Sequence, residues 1–309
     1  MSTGTPSEQE LVLPAPDGLG LTGTLTLPTG DGPFPAALLL GGSGPLDRDS
    51  DAGRRMRLGL GRPLARALAA HGVASVRYDR RGVGATGGGD WRAVGFRQNR
   101  DDAAAALRGL REHPAVRADA AAVVGHSEGA LHAAALGARE DPAAVVLLAP
   151  TARPGADVLR WQAAQLAGDL PTPVRLLLRV LRTDLSAQQA RNARRILATT
   201  TDIARVGRVQ VYARLHREFM AHDPRPDLAA LRGRVLAVTG GKDLQVPPED
   251  LDVVAELSPG AEIRRVPDLT HILRRDTAPA SMRRYRALLR EPGDAQLLAD
   301  VAAGPAAAL

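Results

Sequence analysis

The chain has 309 residues, 44 % of them hydrophobic and 24 % charged, with a net charge of +6. That composition is ordinary for a folded globular protein, long enough for one large domain with an insertion or for two domains. The sequence has no cysteine, which excludes disulfides and cysteine-based zinc or redox sites, and its 3 % aromatics and dispersed arginines argue against a nucleic-acid surface.

The first nine residues are polar and are predicted to be disordered; they have no apolar core of the kind a signal peptide needs. Glu10–Leu13 and Leu21–Leu27 alternate apolar and polar residues around the turn-rich "PAPDGLG", which predicts a β-hairpin. "AALLL" (Ala36–Leu40) is a short continuous apolar run, as in strands covered on both faces. A helix is predicted over Leu60–Ala70, a strand over Val73–Tyr78 and a helix over Gln98–Glu112. Ala120–Val124 (strand), Ser127–Arg139 (helix) and Ala144–Ala149 (strand) continue the series. Such alternation implies βαβ units and a mostly parallel sheet.

At Pro150 the rhythm breaks. Ala152–Asp227 has no comparable strand run and predicts four helices, over "DVLRWQAAQLAG", "TPVRLLLRVLR", "SAQQARNARRILATT" and "RVQVYARLHREFMAH". Val235–Thr239 (strand), Pro248–Leu257 (helix), Glu262–Val266 (strand) and Ala278–Leu289 (helix) resume the earlier pattern, and 292–309 reads as a short extra helix with a loose tail. The expected organisation is therefore an α/β core over 10–150 and 228–290 with a helical insertion over 151–227. Apolar runs such as Ala143–Ala149 are too short to span a bilayer, so a soluble cytoplasmic protein with no membrane or nucleic-acid partner is expected.

"GHSEG" (Gly125–Gly129) lies where a predicted strand gives way to a helix and fits G-x-S-x-G, the nucleophile elbow. In that turn the glycines avoid Cβ clashes, the Ser127 hydroxyl projects above the sheet edge, and the following helix aims its N-terminal N–H groups at the site. A serine hydroxyl is a weak nucleophile and needs a base, which in turn needs an orienting acid, in the chain order Ser, Asp or Glu, His. Asp243 follows the strand Val235–Thr239, and His271 follows Glu262–Val266. The other histidines fit less well. His71 and His113 sit at helix ends, His132 lies inside the helix after the elbow, His216 and His222 belong to the insertion, and His126 should point away from the hydroxyl. Among acids, Asp250 and Asp252 fall in or beside a helix, and Asp268 follows a different strand from the expected one. A tetrahedral oxyanion needs N–H donors. Glu128, after the nucleophile, is one candidate, and Ser43, in the glycine loop "GGSGPLDRDSD", is the other.

Together, "GGSGPLDRD", "YDRRGVGAT", "GHSEG" and the late Asp and His loops resemble the α/β-hydrolase superfamily over most of residues 10–290. The first three are similar to the bacterial esterase branch related to dienelactone hydrolases and serine aminopeptidase-like hydrolases. Gly41 stands where that branch commonly has a histidine. Asp79, Arg80 and Arg81 are expected to tie loops together, the alternative being that Arg80 or Arg81 meets an acidic substrate group, and Asp47, Arg48 and Asp49 to form a local ion-pair network rather than a metal site. No H-E-x-x-H spacing occurs, and this chemistry needs neither metal nor cofactor. The resemblance implies that the insertion covers the serine as a lid, with Trp161, Tyr212 and Phe219, beside Leu166, Leu176–Leu178 and Leu215, as candidate lining of an acyl pocket. The expected activity is hydrolysis of small carboxylic esters through an acyl-enzyme. Peptidase, amidase and thioesterase chemistry, or a non-catalytic binding protein on the same fold, are the alternatives.

Overall fold

The structure, a computed structural model, describes residues 5–54 and 56–308. Eight strands form the central sheet: β1 (Ser7–Pro14), β2 (Gly20–Leu27), β3 (Phe34–Leu40), then helix α1 (Gly61–Ala70) and β4 (Ala74–Tyr78). Helix α2 (Phe96–Arg111) leads to β5 (Val116–His126), α3 (Glu128–Arg139) and β6 (Ala144–Leu148). The insertion carries α4 (Gly155–Gly168), α5 (Thr172–Val180), α6 (Leu185–Leu197), α7 (Ala213–Met220) and the short α8 (Arg225–Ala229). The core resumes with β7 (Arg234–Gly240), α9 (Asp250–Leu257) and β8 (Glu262–Val266); α10 (Tyr285–Leu288) and α11 (Ala295–Ala308) follow.

The sheet order is β1-β2-β4-β3-β5-β6-β7-β8. β1 and β2 pair antiparallel, as do β2 and β4; the other pairs are parallel. This is the α/β-hydrolase fold. Register brings the carboxyl ends of the central strands level, with Leu40 opposite Gly125, His126 opposite Leu148 and Gly240 opposite Val266. Loops after β3, β5, β7 and β8 therefore open on one rim, where open α/β sheets place their sites.

Strict alternation along each inner strand feeds two apolar layers. Leu38, Val123, Val145 and Ala237 face α2, α3 and α9, and pack with Leu107, Leu136 and Leu251. Ala37, Val124, Val146 and Val238 face the other way and pack with Leu64 and Leu68 of α1 and Leu297 and Val301 of α11. Burial on both faces explains why these strands read as unbroken apolar runs.

Four expectations need correction. Strand β1 begins at Ser7, inside the stretch expected to be disordered, and Ser7 pairs with Leu27. Most of β1 is exposed, so its first residues carry no apolar alternation to announce it. Residues 1–4 lie outside the described residues. The fourth insertion helix begins only at Ala213, because Val209–Val211 pairs instead with Ala204–Val206 around a turn in which Gly207 has φ 62°. The helix expected over Ala278–Leu289 is two short turns, Met282–Arg284 and α10. Pro279 disfavours helical backbone at Ala278, and the Ser281 hydroxyl caps the first turn by accepting from the Arg283 N–H at 3.3 Å. The tail is not loose. Asp294 accepts from the Leu297 N–H at 2.7 Å and starts α11, whose Leu297, Leu298, Val301 and Ala302 are buried.

The insertion leaves and re-enters the core at one place. The Gly155 N–H donates to the His222 carbonyl at 2.9 Å, and a Cβ at 155 would sit 2.0 Å from the Phe219 carbonyl. Just before it, Thr151 and Arg153 donate to the buried Asp250 carboxylate at 2.6 and 2.8 Å, which ties the entry to α9.

Truncation after Gly293 removes the buried Leu297, Leu298 and Val301 side chains, besides Ala302, from the α1 face. At about 1.5–3 kcal/mol each, and about 2–4 °C per kcal/mol, the thermal midpoint should fall by roughly 10 °C or more. A midpoint unchanged in differential scanning calorimetry would refute a structural role for α11.

Candidate active site

Ser127 occupies the turn from β5 into α3 with φ 58° and ψ −118°, a conformation that a side-chain-bearing residue rarely adopts. Its neighbours sustain it. A Cβ at Gly125 would fall 2.0 Å from the Gly129 carbonyl, and one at Gly129 would fall 2.3 Å from the Leu40 carbonyl. Only glycine at both places lets the turn close on itself and on the end of β3. The Ser127 N–H donates to the Leu148 carbonyl at 2.9 Å, and its own carbonyl accepts from Ala130 at 2.9 Å.

His271 and Asp243 come to this serine across the sheet rim. His271 Nε2 lies 3.0 Å from Ser127 Oγ, and His271 Nδ1 lies 2.8 Å from Asp243 Oδ2. The acceptor-only carboxylate requires the proton on Nδ1, which leaves the Nε2 lone pair facing the hydroxyl. Asp243 is itself held: Oδ1 accepts from the backbone N–H groups of Gln245 at 2.7 Å and Val246 at 2.9 Å. The Asp243 side chain is 0 % exposed and that of His271 5 % exposed, so the pair operates out of bulk water. Asp268, weighed as an acid, instead pairs with Lys242 at 3.0 Å, and Asp250 pairs with Arg153.

His126 touches the site and lines the same cavity as Ser127 and His271. Its Nε2 donates to the His271 backbone carbonyl at 2.8 Å, across 145 positions of sequence. Burial, and then the neighbouring His271, lower its pKa from 6.5 to about 3, so the ring stays neutral. Sequence patterning gave no sign of this tether.

The loop after β3 is held by a second buried network. Arg80 donates to Glu128 Oε1 at 2.9 Å and to the Gly41 carbonyl at 2.8 Å. Glu128 also faces His132 Nε2 at 3.3 Å and Asn99 Nδ2 at 3.4 Å. Burial alone would raise the Glu128 pKa, but the Arg80 guanidinium and the bonds from His132 and Ser43 outweigh it and hold the carboxylate ionised. Among the described residues the backbone N–H groups of Ser43 and Glu128 have no acceptor in the protein, so both are free donors beside Ser127. Arg81 is engaged elsewhere, bidentate on Asp102 at 2.6 and 2.7 Å and on Asp17. Asp79 accepts from the Arg48 backbone and side chain at 2.7 and 2.8 Å, and Asp49 from Arg77 at 2.8 Å, so these charges do tie loops together. Among the described residues no cluster of His, Cys, Asp or Glu could hold a metal ion, and no helix is long and apolar enough to cross a membrane.

A cavity of about 470 Å³ opens over Ser127 and His271. Tyr212, Leu215 and Phe219, anticipated as lining, are part of its wall. Trp161 is not. Helix α4 turns Leu159 and Gln162 to the cavity, and Trp161, two residues from Leu159, lies on a different side of the helix. Leu166 lines a neighbouring cavity, while Leu176 and Leu177 are exposed on α5. Sequence reading missed two aromatics of the wall, Tyr285 and Trp91; the Trp91 ring centroid is 4.6 Å from that of Tyr212. Trp91 sits in a single turn of 3-10 helix, too short to show periodicity.

Two outcomes follow. Arg80→Met strands a buried carboxylate and should cost roughly 3–5 kcal/mol of stability in chemical denaturation, while the pair Arg80→Met/Glu128→Gln recovers most of the loss; a single variant no worse than the double would refute the clamp. Burial, the leading cause in each case, lowers the pKa of His126 to about 3, of His222 to about 4, and of His132. Each fold state thus favours the neutral ring, so their stabilisation is present in full above about pH 6.5 and is lost as pH falls toward 4 and below. The thermal midpoint should decline across that window, and less steeply in His222→Phe; equal slopes would exclude His222 as a contributor.

Comparison with known proteins agrees with this architecture. Esterase EstD of Thermotoga maritima is 27 % identical over 262 residues, 82 % of this chain and 58 % of that protein. The chain thus spans a little over half the length of that relative. Est1E from Butyrivibrio proteoclasticus, solved with ferulic acid bound, superposes with a TM-score of 0.62 at 17 % identity, covering 96 % of this chain and 99 % of its own. The 2,6-dihydroxy-pseudo-oxynicotine hydrolase superposes with a TM-score of 0.58 at 18 % identity, covering 98 % of this chain and 68 % of that one. At those identities the two structures speak for the fold. The family model Hydrolase_4, described as serine aminopeptidase, S33, matches residues 53–278, more than half of the sequence. On that match, and on the fold that carries it, the chain belongs to the S33 serine aminopeptidase-like family of α/β-hydrolases.

Proposed function

We propose that this protein is a serine-dependent carboxylic ester hydrolase that works through an acyl-enzyme. The observation that carries the reading is the unbroken line of hydrogen bonds from Asp243 through His271 to Ser127, at 2.8 and 3.0 Å. Ser127 Oγ attacks the ester carbonyl as His271 Nε2 takes its proton. Asp243 keeps the imidazole in the required tautomer and stabilises its cation. The N–H groups of Ser43 and Glu128 receive the oxyanion, each worth about 10²–10³ in rate. His271 then returns the proton to the leaving alcohol, and a water activated by the same nitrogen releases the acid.

The insertion acts as a lid in this reading, since α4 and α7 supply Leu159, Tyr212, Leu215 and Phe219 to the cavity wall. The family's description invites an aminopeptidase reading. A substrate ammonium would need a free carboxylate, and the one acidic side chain among the cavity's lining, Glu128, is already paired with Arg80. That favours an uncharged ester. The curated relative's name, an esterase, points the same way.

The test is turnover of short-chain p-nitrophenyl esters. Ser127→Ala should lose at least about 10³ in kcat, and His271→Ala about as much, because the residues act as a unit. Circular dichroism should remain that of wild type, and a fluorophosphonate should label wild type and not Ser127→Ala. Undiminished turnover in folded Ser127→Ala would overturn the mechanism.

A further inference from the structure

A second cavity, of about 590 Å³, lies between α4, α6 and α7 and the loop carrying Leu244 and Gln245. Leu159, Gln162, His216 and Gln245 line it and the first cavity alike, so the two are neighbours with a shared partition. Part of that partition is a hydrogen bond, from Gln162 Nε2 to the Gln245 carbonyl at 2.7 Å. Gln245 in turn donates its N–H to Asp243, so the partition abuts the proposed catalytic line.

The lining chemistry is unusual for this chain. A quarter of all residues are charged, yet among the described residues no Asp, Glu, Lys or Arg lines the second cavity. Its polar groups include five side-chain amides: Gln162, Gln188, Gln189, Asn192 and Gln245. Among the described residues, the amides of Gln188, Gln189 and Asn192 have no partner in the protein. The rest of the wall is mostly aliphatic or thioether, as with Leu166, Ile196 and Met220. An amide offers two donors and an acceptor with no net charge. Such a wall matches neutral groups that both donate and accept, and it gives an ion no counter-charge to offset its desolvation.

We infer that this cavity is a second subsite for the same ester: it takes the arm remote from the reacting carbonyl, an uncharged chain bearing amide or hydroxyl groups. The assignment rests on the serine-hydrolase reading above. It makes the enzyme one for elongated, neutral, hydrogen-bonding esters rather than for fatty or ionic ones.

The experiment compares kcat/KM for matched esters that differ only in the distal half of one arm: an amide, the hydrocarbon of equal length, a carboxylate and an ammonium. The set is made twice, with the variable arm on the acyl side and on the alcohol side, and p-nitrophenyl acetate is the short reference. In at least one set the amide should exceed either ion by tenfold or more and the hydrocarbon by about threefold. Ala193→Phe, which fills the cavity from α6, should bring those ratios close to one, and Gln189→Leu should lower the amide-to-hydrocarbon ratio. Ratios within one variant cancel a general loss of activity. Acetate turnover with equal rates for all arms in both sets would overturn the subsite alone, as would a preference that survives both substitutions. No acetate turnover in wild type would overturn the hydrolase reading and this assignment with it.

Discussion

The site depends on the backbone of Ser127. A non-glycine residue held at φ 58° costs on the order of 1–3 kcal/mol, and it persists only where the surroundings over-determine it. Here they do. Carbonyl oxygens of Leu40 and Gly129 occupy the space that side chains at 129 and 125 would need. The N–H of the serine is spoken for by β6. The same contact that forces the turn, α3 against the end of β3, also sets the glycine loop beside the hydroxyl. One steric constraint thus presents the Ser127 hydroxyl and sets the proposed oxyanion donors beside it.

Around that turn, charge does what apolar packing cannot. The rim is made of loops, and loops supply few aliphatic contacts with which to hold a position. Arg80 spans Glu128 and the carbonyl of Gly41, so the first residue of α3 and the first residue of the glycine loop share one guanidinium. Asp79 links the loops after β3 and β4 through Arg48. Arg77, 1 % exposed, gathers Asp49, Thr26 and Glu8 beneath them. Buried ion pairs of this kind add little net stability but fix geometry, because every alternative arrangement strands a charge. His126 extends the principle to the opposite side, where a neutral ring pins the backbone that carries His271.

What the sequence disclosed follows from how each signal is encoded. Strands buried on both faces announce themselves as apolar runs, and β3, β5, β6 and β7 were all legible. The elbow glycines, Asp243 and His271 were found because strand order and chain order constrain where they fall, and the structure brings their side chains within hydrogen-bond reach. Signals without a period were lost. Strand β1 is exposed and polar at its start; the far end of α11 is so rich in alanine that its apolar stripe does not stand out; Val209–Val211 and its partner Ala204–Val206 are three-residue strands set between two helices. Trp161 belongs to an apolar face of the insertion, but the helical phase set by Val158, buried at 1 %, turns Leu159 and Gln162 to the cavity instead. The Arg80–Glu128 clamp and the His126 tether join residues 48 and 145 positions apart, which no local pattern can report.

The insertion's shared entrance has a practical meaning. Because Gly155 and His222 are hydrogen-bonded neighbours, the segment between them is attached to the sheet as a drawer is to its frame, through one opening. Recombination there has one chain seam to satisfy, a glycine on the way in to clear the Phe219 carbonyl and the Thr151–Arg153 anchorage on Asp250 left in place, but the insertion also rests on the core where Gln162 donates to the Gln245 carbonyl, Arg92 donates to Gln210 and Glu218 accepts from the Arg97 N–H. An exchanged drawer would therefore have to bring its own counterparts of Gln162, Gln210 and Glu218 if the rim loops are to keep their positions.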